Sequence, residues 1–151
     1  MPNDCWCDVR IWADSSTIEH FRNVQFKFQD LRQQPEFEPI PGQAGEDDRW
    51  YHWRNENWGT KWDRYEYRLV AQGDNCLKIR FTTAWAPPYA LFEYLLDNYP
   101  DLFLHCDWSE EGGLAGVFNG QWRDGRKIIK ETNWLDWQHE QFGMLEPVLH
   151  D

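Results

Sequence analysis

Hydrophobic and polar positions first alternate at the very start of the chain, where Cys7, Val9, Ile11 and Ala13 interleave with Trp6, Asp8, Arg10 and Trp12. A period of two is the mark of a strand with one buried face. The period then lengthens: Ile18, Phe21, Val24 and Phe28 follow Asp14-Ser15-Ser16, with Ser16 and Glu19 at capping-box spacing. This predicts a short amphipathic helix. Residues 33–48 hold Pro35, Pro39, Pro41, Gly42 and Gly45 among acidic residues and no basic one, the composition of a loop or lid. Alternation resumes from Arg64 to Val70, with Tyr65, Tyr67 and Leu69 on one face and Glu66, Arg68 and Val70 on the other. After a Gln72-Gly73-Asp74-Asn75 turn it continues through Leu77, Ile79, Phe81 and Thr83, interleaved with Lys78, Arg80 and Thr82. A hairpin is the natural reading.

Pro87 and Pro88 suit the start of a second helix, which carries Leu91, Tyr94, Leu95 and Asn98 and is stopped by Pro100. Leu102, Leu104, Cys106 and Trp108 make a fourth strand. The order βαββαβ is that of an α+β, ferredoxin-like sandwich. Glu110-Glu111-Gly112-Gly113 is a further turn. Val117 to Trp122 and Lys127 to Lys130 flank an Asp124-Gly125 pair, a strong hairpin signal. The last stretch, with Trp134, Leu135, Trp137, Phe142 and Leu145, has some helical spacing. Residues 1–151 thus read as a single domain, with an acidic loop and tryptophan-rich insertion at 33–63 and a C-terminal extension at 112–151 that adds a β-hairpin.

The most specific stretch is Asn57-Trp58-Gly59-Thr60-Lys61-Trp62. Gly59 permits a turn with positive φ, and two tryptophans four apart carry apolar area that favours burial. Trp58, Gly59, Thr60, Lys61 and Trp62 are therefore expected to form a rigid structural corner in the core. Together with the opening Met1-Pro2-Asn3-x-Cys5 and the Thr83-Ala84-Trp85-x-Pro87-Pro88 segment, this corner resembles the YubB ferredoxin-like family of small proteins carried by phages, plasmids and bacterial chromosomes. Asp4 stands where that family usually has Trp before the Cys. The resemblance covers most of the chain and implies a ferredoxin-like fold and a mobile-element setting, with no known activity.

Composition narrows the function. Twenty-six acidic against 15 basic residues give a net charge of −11, which favours solubility and repels nucleic acid and anionic lipid over most of the surface. The first residues lack the basic and apolar regions of an export signal, and no run reaches the length of a membrane span. A cytoplasmic protein is expected. There Cys5, Cys7, Cys76 and Cys106 stay reduced, and the Cys5-x-Cys7 spacing does not suit zinc. No metal and no cofactor is expected.

Three constellations compete. Asp8, Asp107, Glu110 and Glu111 are carboxylates that neighbouring strands would gather for a hydrolase or nuclease, but there is no phosphate-binding glycine loop, nucleophile elbow or paired-histidine motif. The balance is against an enzyme. Arg10, Trp12, Lys78 and Arg80, with Phe103 and His105, would lie on the outward sheet face, as the base-stacking residues of RNA-recognition domains do. Arg123, Arg126, Lys127 and Lys130 add basic charge, while the third strand lacks the aromatics of those domains. The third constellation is Glu36, Glu38, Glu46, Asp47 and Asp48, an acidic loop matched to a protein partner with a basic surface. Composition ranks this reading first: a non-enzymatic protein-binding module, expected from the mobile-element setting to act as an acidic inhibitor of a host defence complex such as a CRISPR effector.

Overall fold

The computed structural model describes residues 2–43, 45, 47–135 and 148–150, and of 134, 135 and 148–150 only the backbone. Its elements run β1 (Asp4–Trp12), α1 (Ser15–Asn23), α2 (Phe28–Leu31), α3 (Arg49–Asn57), β2 (Tyr65–Gln72) and β3 (Cys76–Ala84). They continue as α4 (Tyr89–Asn98), β4 (Phe103–Glu110), β5 (Leu114–Arg123), β6 (Arg126–Leu135) and β7 (Val148–His150). The strands form one antiparallel sheet in the order β2-β3-β1-β4-β5-β6-β7. The first four strands of that order are the ferredoxin-like arrangement. β5, β6 and β7 prolong the sheet sideways.

The alternation in β1 decides which face is sealed. Cys5, Cys7, Val9 and Ile11 are buried, joined by Leu77, Ile79 and Phe81 from β3 and Leu104 and Cys106 from β4. Ile18 and Phe21 of α1 and Leu91, Phe92, Leu95 and Leu96 of α4 complete this core. Two glycines let β5 join it. A Cβ on Gly120 would lie 2.4 Å from Leu96 Cδ1, and one on Gly116 would lie 2.5 Å from the Thr132 carbonyl oxygen and 2.7 Å from the Trp108 ring. The close approach leaves room for the Trp108 indole to donate to Tyr89 Oη at 2.6 Å and the Trp122 indole to the Leu96 carbonyl at 2.6 Å.

Several local expectations change. Asp14, not Ser16, caps α1: its carboxylate accepts from the Thr17 backbone N–H at 2.8 Å, and Ser16 donates to the same oxygen. Those bonds hold the Asp14 carboxyl below its ordinary pKa. In β2 the strict alternation fails because register shifts fall between Tyr65 and Arg68 and between Leu69 and Ala71. Leu69 is consequently exposed while Val70 is half-buried. In α4, Phe92 and Leu96 join Leu91 and Leu95 in the core, while Tyr94 is half-buried and Asn98, at the end of the helix, is exposed. Part of the 33–63 insertion is α3, a regular helix, whereas the described residues of 33–48 carry no helix or strand. Trp134 and Leu135 belong to β6; Trp137, Phe142 and Leu145 lie outside the described residues.

Cysteine chemistry follows from burial. Cys5, Cys7 and Cys106 are buried, all four cysteines are free thiols, and burial pushes the Cys7 and Cys106 thiols above their usual range. They behave as small core residues. Among the described residues no helix is long and apolar enough to cross a membrane.

Candidate functional site

The tryptophan corner is a structural bracket. Trp58 is 1% exposed, packs against Phe28 and Trp53, and donates its indole N–H to the Arg32 carbonyl at 3.0 Å. Gly59 has φ +91°, and a Cβ there would sit 3.0 Å from the Tyr89 backbone nitrogen, so the corner touches the start of α4. Thr60 donates to the Ala84 carbonyl at the end of β3 at 2.7 Å. Asp63 accepts from the backbone N–H groups of Phe28 and Gln29, serving as a remote cap for α2. Trp62 departs from expectation. It is 38% exposed with the Lys61 ammonium 4.6 Å from its ring centroid, because Asp63 and Arg64 already fill the contacts to the helix layer.

The acidic loop is less uniform than its sequence. Asp47 forms a short pair with Arg49 at 2.6 Å, which holds its carboxyl down to about 2, and Arg49 also donates to the Glu38 carbonyl. Asp48 pairs with His52 at 3.3 Å. Glu36 and Glu38 are exposed, and Glu46 lies outside the described residues. Two of the expected acids are thus tied to α3.

The sheet face away from the helices carries more chemistry. Strand register places its side chains in rows. One row runs Lys78, Arg10, His105, Asn119 and Lys130 across five strands. The next, toward the β5–β6 turn, runs Cys76, Trp12, Phe103, Gln121 and Ile128. Trp12 is 45% exposed and meets Phe103 edge-on at 5.2 Å between centroids. A hollow of about 380 Å³ lined by Arg10, Trp12, Gln72 and Lys78 lies beside this pair. Arg123 and Arg126 follow in the same facing at the tip of the hairpin, whereas Lys127 turns to the helix side and pairs with Asp97 at 2.7 Å.

Toward the other end of the same face the charge reverses. Arg80, Asp8, Asp107, Val117 and Thr132 form one row, and Thr82, Trp6, Ser109 and Ala115 the next. Arg80 Nε reaches Asp8 Oδ2 at 3.3 Å, so Arg80 is separated from Arg10 and Lys78 by its acidic partner. Asp8 Oδ1 is buried and has no hydrogen-bond partner. Asp107 accepts from His105 Nε2 at 3.3 Å while Asn119 lies 3.0 Å from the other ring nitrogen; the His105 bond, against the cost of burial, keeps the Asp107 carboxyl low. Asp8 and Asp107 are direct cross-strand partners, as expected of these neighbouring strands. Glu110 and Glu111 do not join them: Glu110 accepts from Asn3 and the Gly112 N–H, and Glu111 from the Asp4 N–H. Among the described residues no group of three or more His, Cys, Asp or Glu is placed to hold a metal ion. Trp6 and Glu66 at this end were missed in the sequence, although the alternation of β1 already put Trp6 on the face of Asp8.

Comparison with known proteins now bears on this geometry. The family described as a ferredoxin-like domain in Api92-like protein matches residues 57–144, more than half of the chain. The chain belongs to that family. The matched residues begin at the tryptophan corner and include β2 to β6, but β1, which lies between β3 and β4, precedes them. β1 also supplies Trp6, Asp8, Arg10 and Trp12 to the open face. No curated protein and no solved structure matches the chain.

Proposed function

We propose that this protein is a non-enzymatic binding module that takes a single-stranded nucleic acid on the basic, aromatic end of its open sheet face. The observation that carries this reading is the adjacency of two rows, Lys78-Arg10-His105-Asn119-Lys130 and Trp12-Phe103, on the sheet face opposite the described helices. A half-exposed indole offers a surface on which any base can stack, and the neighbouring cations meet the phosphates on either side. The net charge of −11 argues against binding over the whole surface, not at this end. Two acids near this end are engaged elsewhere, Asp14 in capping α1 and Asp97 in holding Lys127 on the helix side.

The test is fluorescence anisotropy with labelled oligouridylate and oligothymidylate of about ten nucleotides at about 50 mM and about 150 mM salt. Expected is binding in the micromolar range at the lower salt, falling steeply with salt at a log-log slope of about −2, as contact with about three phosphates gives. Trp12→Ala should weaken it by about 1–3 kcal/mol. Absence of binding at the lower salt, or equal binding by Trp12→Ala, overturns the proposal. A second reading, a protein partner with a basic surface, is favoured by the exposed Glu36 and Glu38 beside exposed Ile40. It predicts capture of a basic partner that Glu36→Gln with Glu38→Gln weakens, chiefly through slower association.

A further inference from the structure

The acidic end of the open face contains the larger hollow, about 560 Å³, lined by Trp6, Asp8, Glu66, Arg80, Thr82 and Asp107. We infer that this hollow binds a guanidinium group, carried by an arginine side chain or by a free guanidine compound. Four observations lead there, and none depends on the nucleic-acid reading. First, three carboxylates against one arginine leave the lining net negative, so it selects cations. Second, those carboxylates do not converge as metal ligands do, which calls for a cation that spreads its charge over several donors. Third, Asp8 Oδ1 is buried without a donor while the Asp8 side chain as a whole is 28% exposed, so an N–H that reaches this carboxylate as Arg80 moves aside removes a cost. Its other oxygen is held only by Arg80 Nε at 3.3 Å.

The fourth observation is the rim. Trp6 is 46% exposed, two residues before Asp8 on the same face of β1 and across from Ser109 and Thr82 in register. A guanidinium is planar and weakly hydrated, stacks on an indole face, and presents a fork of N–H groups to a carboxylate. Asp8 and Asp107 are direct cross-strand partners and point to the same face, a spacing of about 5 Å that one guanidinium bridges. Arg80 already occupies part of this arrangement from within. It acts as an internal competitor that the ligand displaces from Asp8, and Thr82, fixed by its bond to Glu66 at 3.0 Å, holds the opposite wall.

The experiment is isothermal titration calorimetry of the full chain with agmatine, with the tripeptide Gly-Arg-Gly, and with the uncharged citrulline counterpart of that peptide. The Trp6 indole N–H is followed by NMR in parallel. Agmatine or Gly-Arg-Gly is expected to bind in the submillimolar range and to shift the Trp6 signal, and the citrulline peptide is not. Asp8→Asn should weaken binding by about tenfold or more, as loss of a charge-assisted partner does. Trp6→Ala, a change at an exposed position that leaves the fold intact, should weaken it by about fivefold. Arg80→Gln should tighten it, a result that a merely structural role for Arg80 would not give. Stronger binding of the tripeptide assigns the site to a protein partner, and stronger binding of agmatine to a small molecule; either supports the inference. No heat and no Trp6 shift up to about 10 mM ligand, a range that any useful site would reach, overturns it. Equal affinity for the citrulline peptide, or for the Asp8→Asn and Trp6→Ala variants, does the same.

Discussion

β1 shows two chemistries on one backbone. Its residues Cys5, Cys7, Val9 and Ile11 are sealed against α1 and α4, none more than 2% exposed, while Trp6 and Trp12 on the opposite side stand nearly half in water with Asp8 and Arg10 between them. Leaving a tryptophan exposed forgoes part of the roughly 1.5–3 kcal/mol that burying a large apolar side chain contributes. A strand whose inner face is filled to completion with small and medium side chains has no packing reason to carry two indoles outside. The inner face therefore specifies the fold, and the outer face is free to be chosen for recognition. That outer face is itself divided, basic and aromatic at the Trp12 end, acidic and hollow at the Trp6 end.

The comparison breaks first if an inner residue turns out dispensable. Trp58 and Trp62 make the sharpest pair because they share a corner but not an environment. Trp58→Ala should cost about 3–5 kcal/mol in urea unfolding, from lost contacts with Phe28 and Trp53 and an orphaned Arg32 carbonyl. Trp62→Ala should cost less than about 1 kcal/mol, as exposed positions do. Equal costs would mean that the corner works as a single packed unit. Next comes Gly116→Ala, expected to cost about 1–3 kcal/mol because the added methyl meets the Thr132 carbonyl and a Trp108 ring fixed by its bond to Tyr89. A neutral result would show that β5 can slide outward and that the inner face is looser than its burial suggests.

On the outer face, Trp12→Ala should change unfolding free energy by less than about 1 kcal/mol, the loss being confined to its edge contact with Phe103. The same variant should lose single-strand binding. If stability fell as far as in Trp58→Ala, the outer aromatics would have to be counted as a second core.

How much of this division was legible in the sequence depends on the length of each periodic run. β1 alternates along its length and β3 from Leu77 to Phe81, so both their strand character and their facing could be read from Cys7-Val9-Ile11 and Leu77-Ile79-Phe81. β2 could not, because two register irregularities move Leu69 outward, and such shifts are set by pairing with β3 instead of by β2's own residues. The exposure of Trp62 is hidden in the sequence for a related reason: its position depends on Asp63 and Arg64 bonding to Phe28, Gln29 and Gln25, contacts across 34 to 39 residues. Phe26, at φ +52°, stacks on Phe81, although a bulky residue seldom adopts that conformation. Of the open face, Arg10, Trp12 and Lys78 were readable as neighbours once the ferredoxin-like order was assumed. The ion pair that draws Arg80 to Asp8, and the hollow beside it, are properties of side-chain placement that no spacing encodes.

The smallest expected effect concerns the row where the two ends of the outer face meet. Asp107 is held below the ordinary carboxylate pKa chiefly by the bond from His105, opposed by partial burial. A group with a depressed folded pKa contributes stability that is complete above its unfolded value, near 3.9, and is lost as pH falls through the lower folded value. Asp107→Asn should therefore cost a little at neutral pH and nothing once both forms are protonated, so the wild-type and variant stability curves converge on acidification below about pH 4. The difference at neutral pH should stay under about 1 kcal/mol, since the Asp107 side chain is 51% exposed and water screens the pair. Curves that diverge on acidification would reverse the sign assigned to this carboxylate. His105→Gln gives the complementary check, because it removes the bond that lowers Asp107 and should flatten the acid limb without touching the buried residues of β1. Were it to cost as much as Gly116→Ala, the outer face would be bearing structural load, and the separation of roles along β1 would fail.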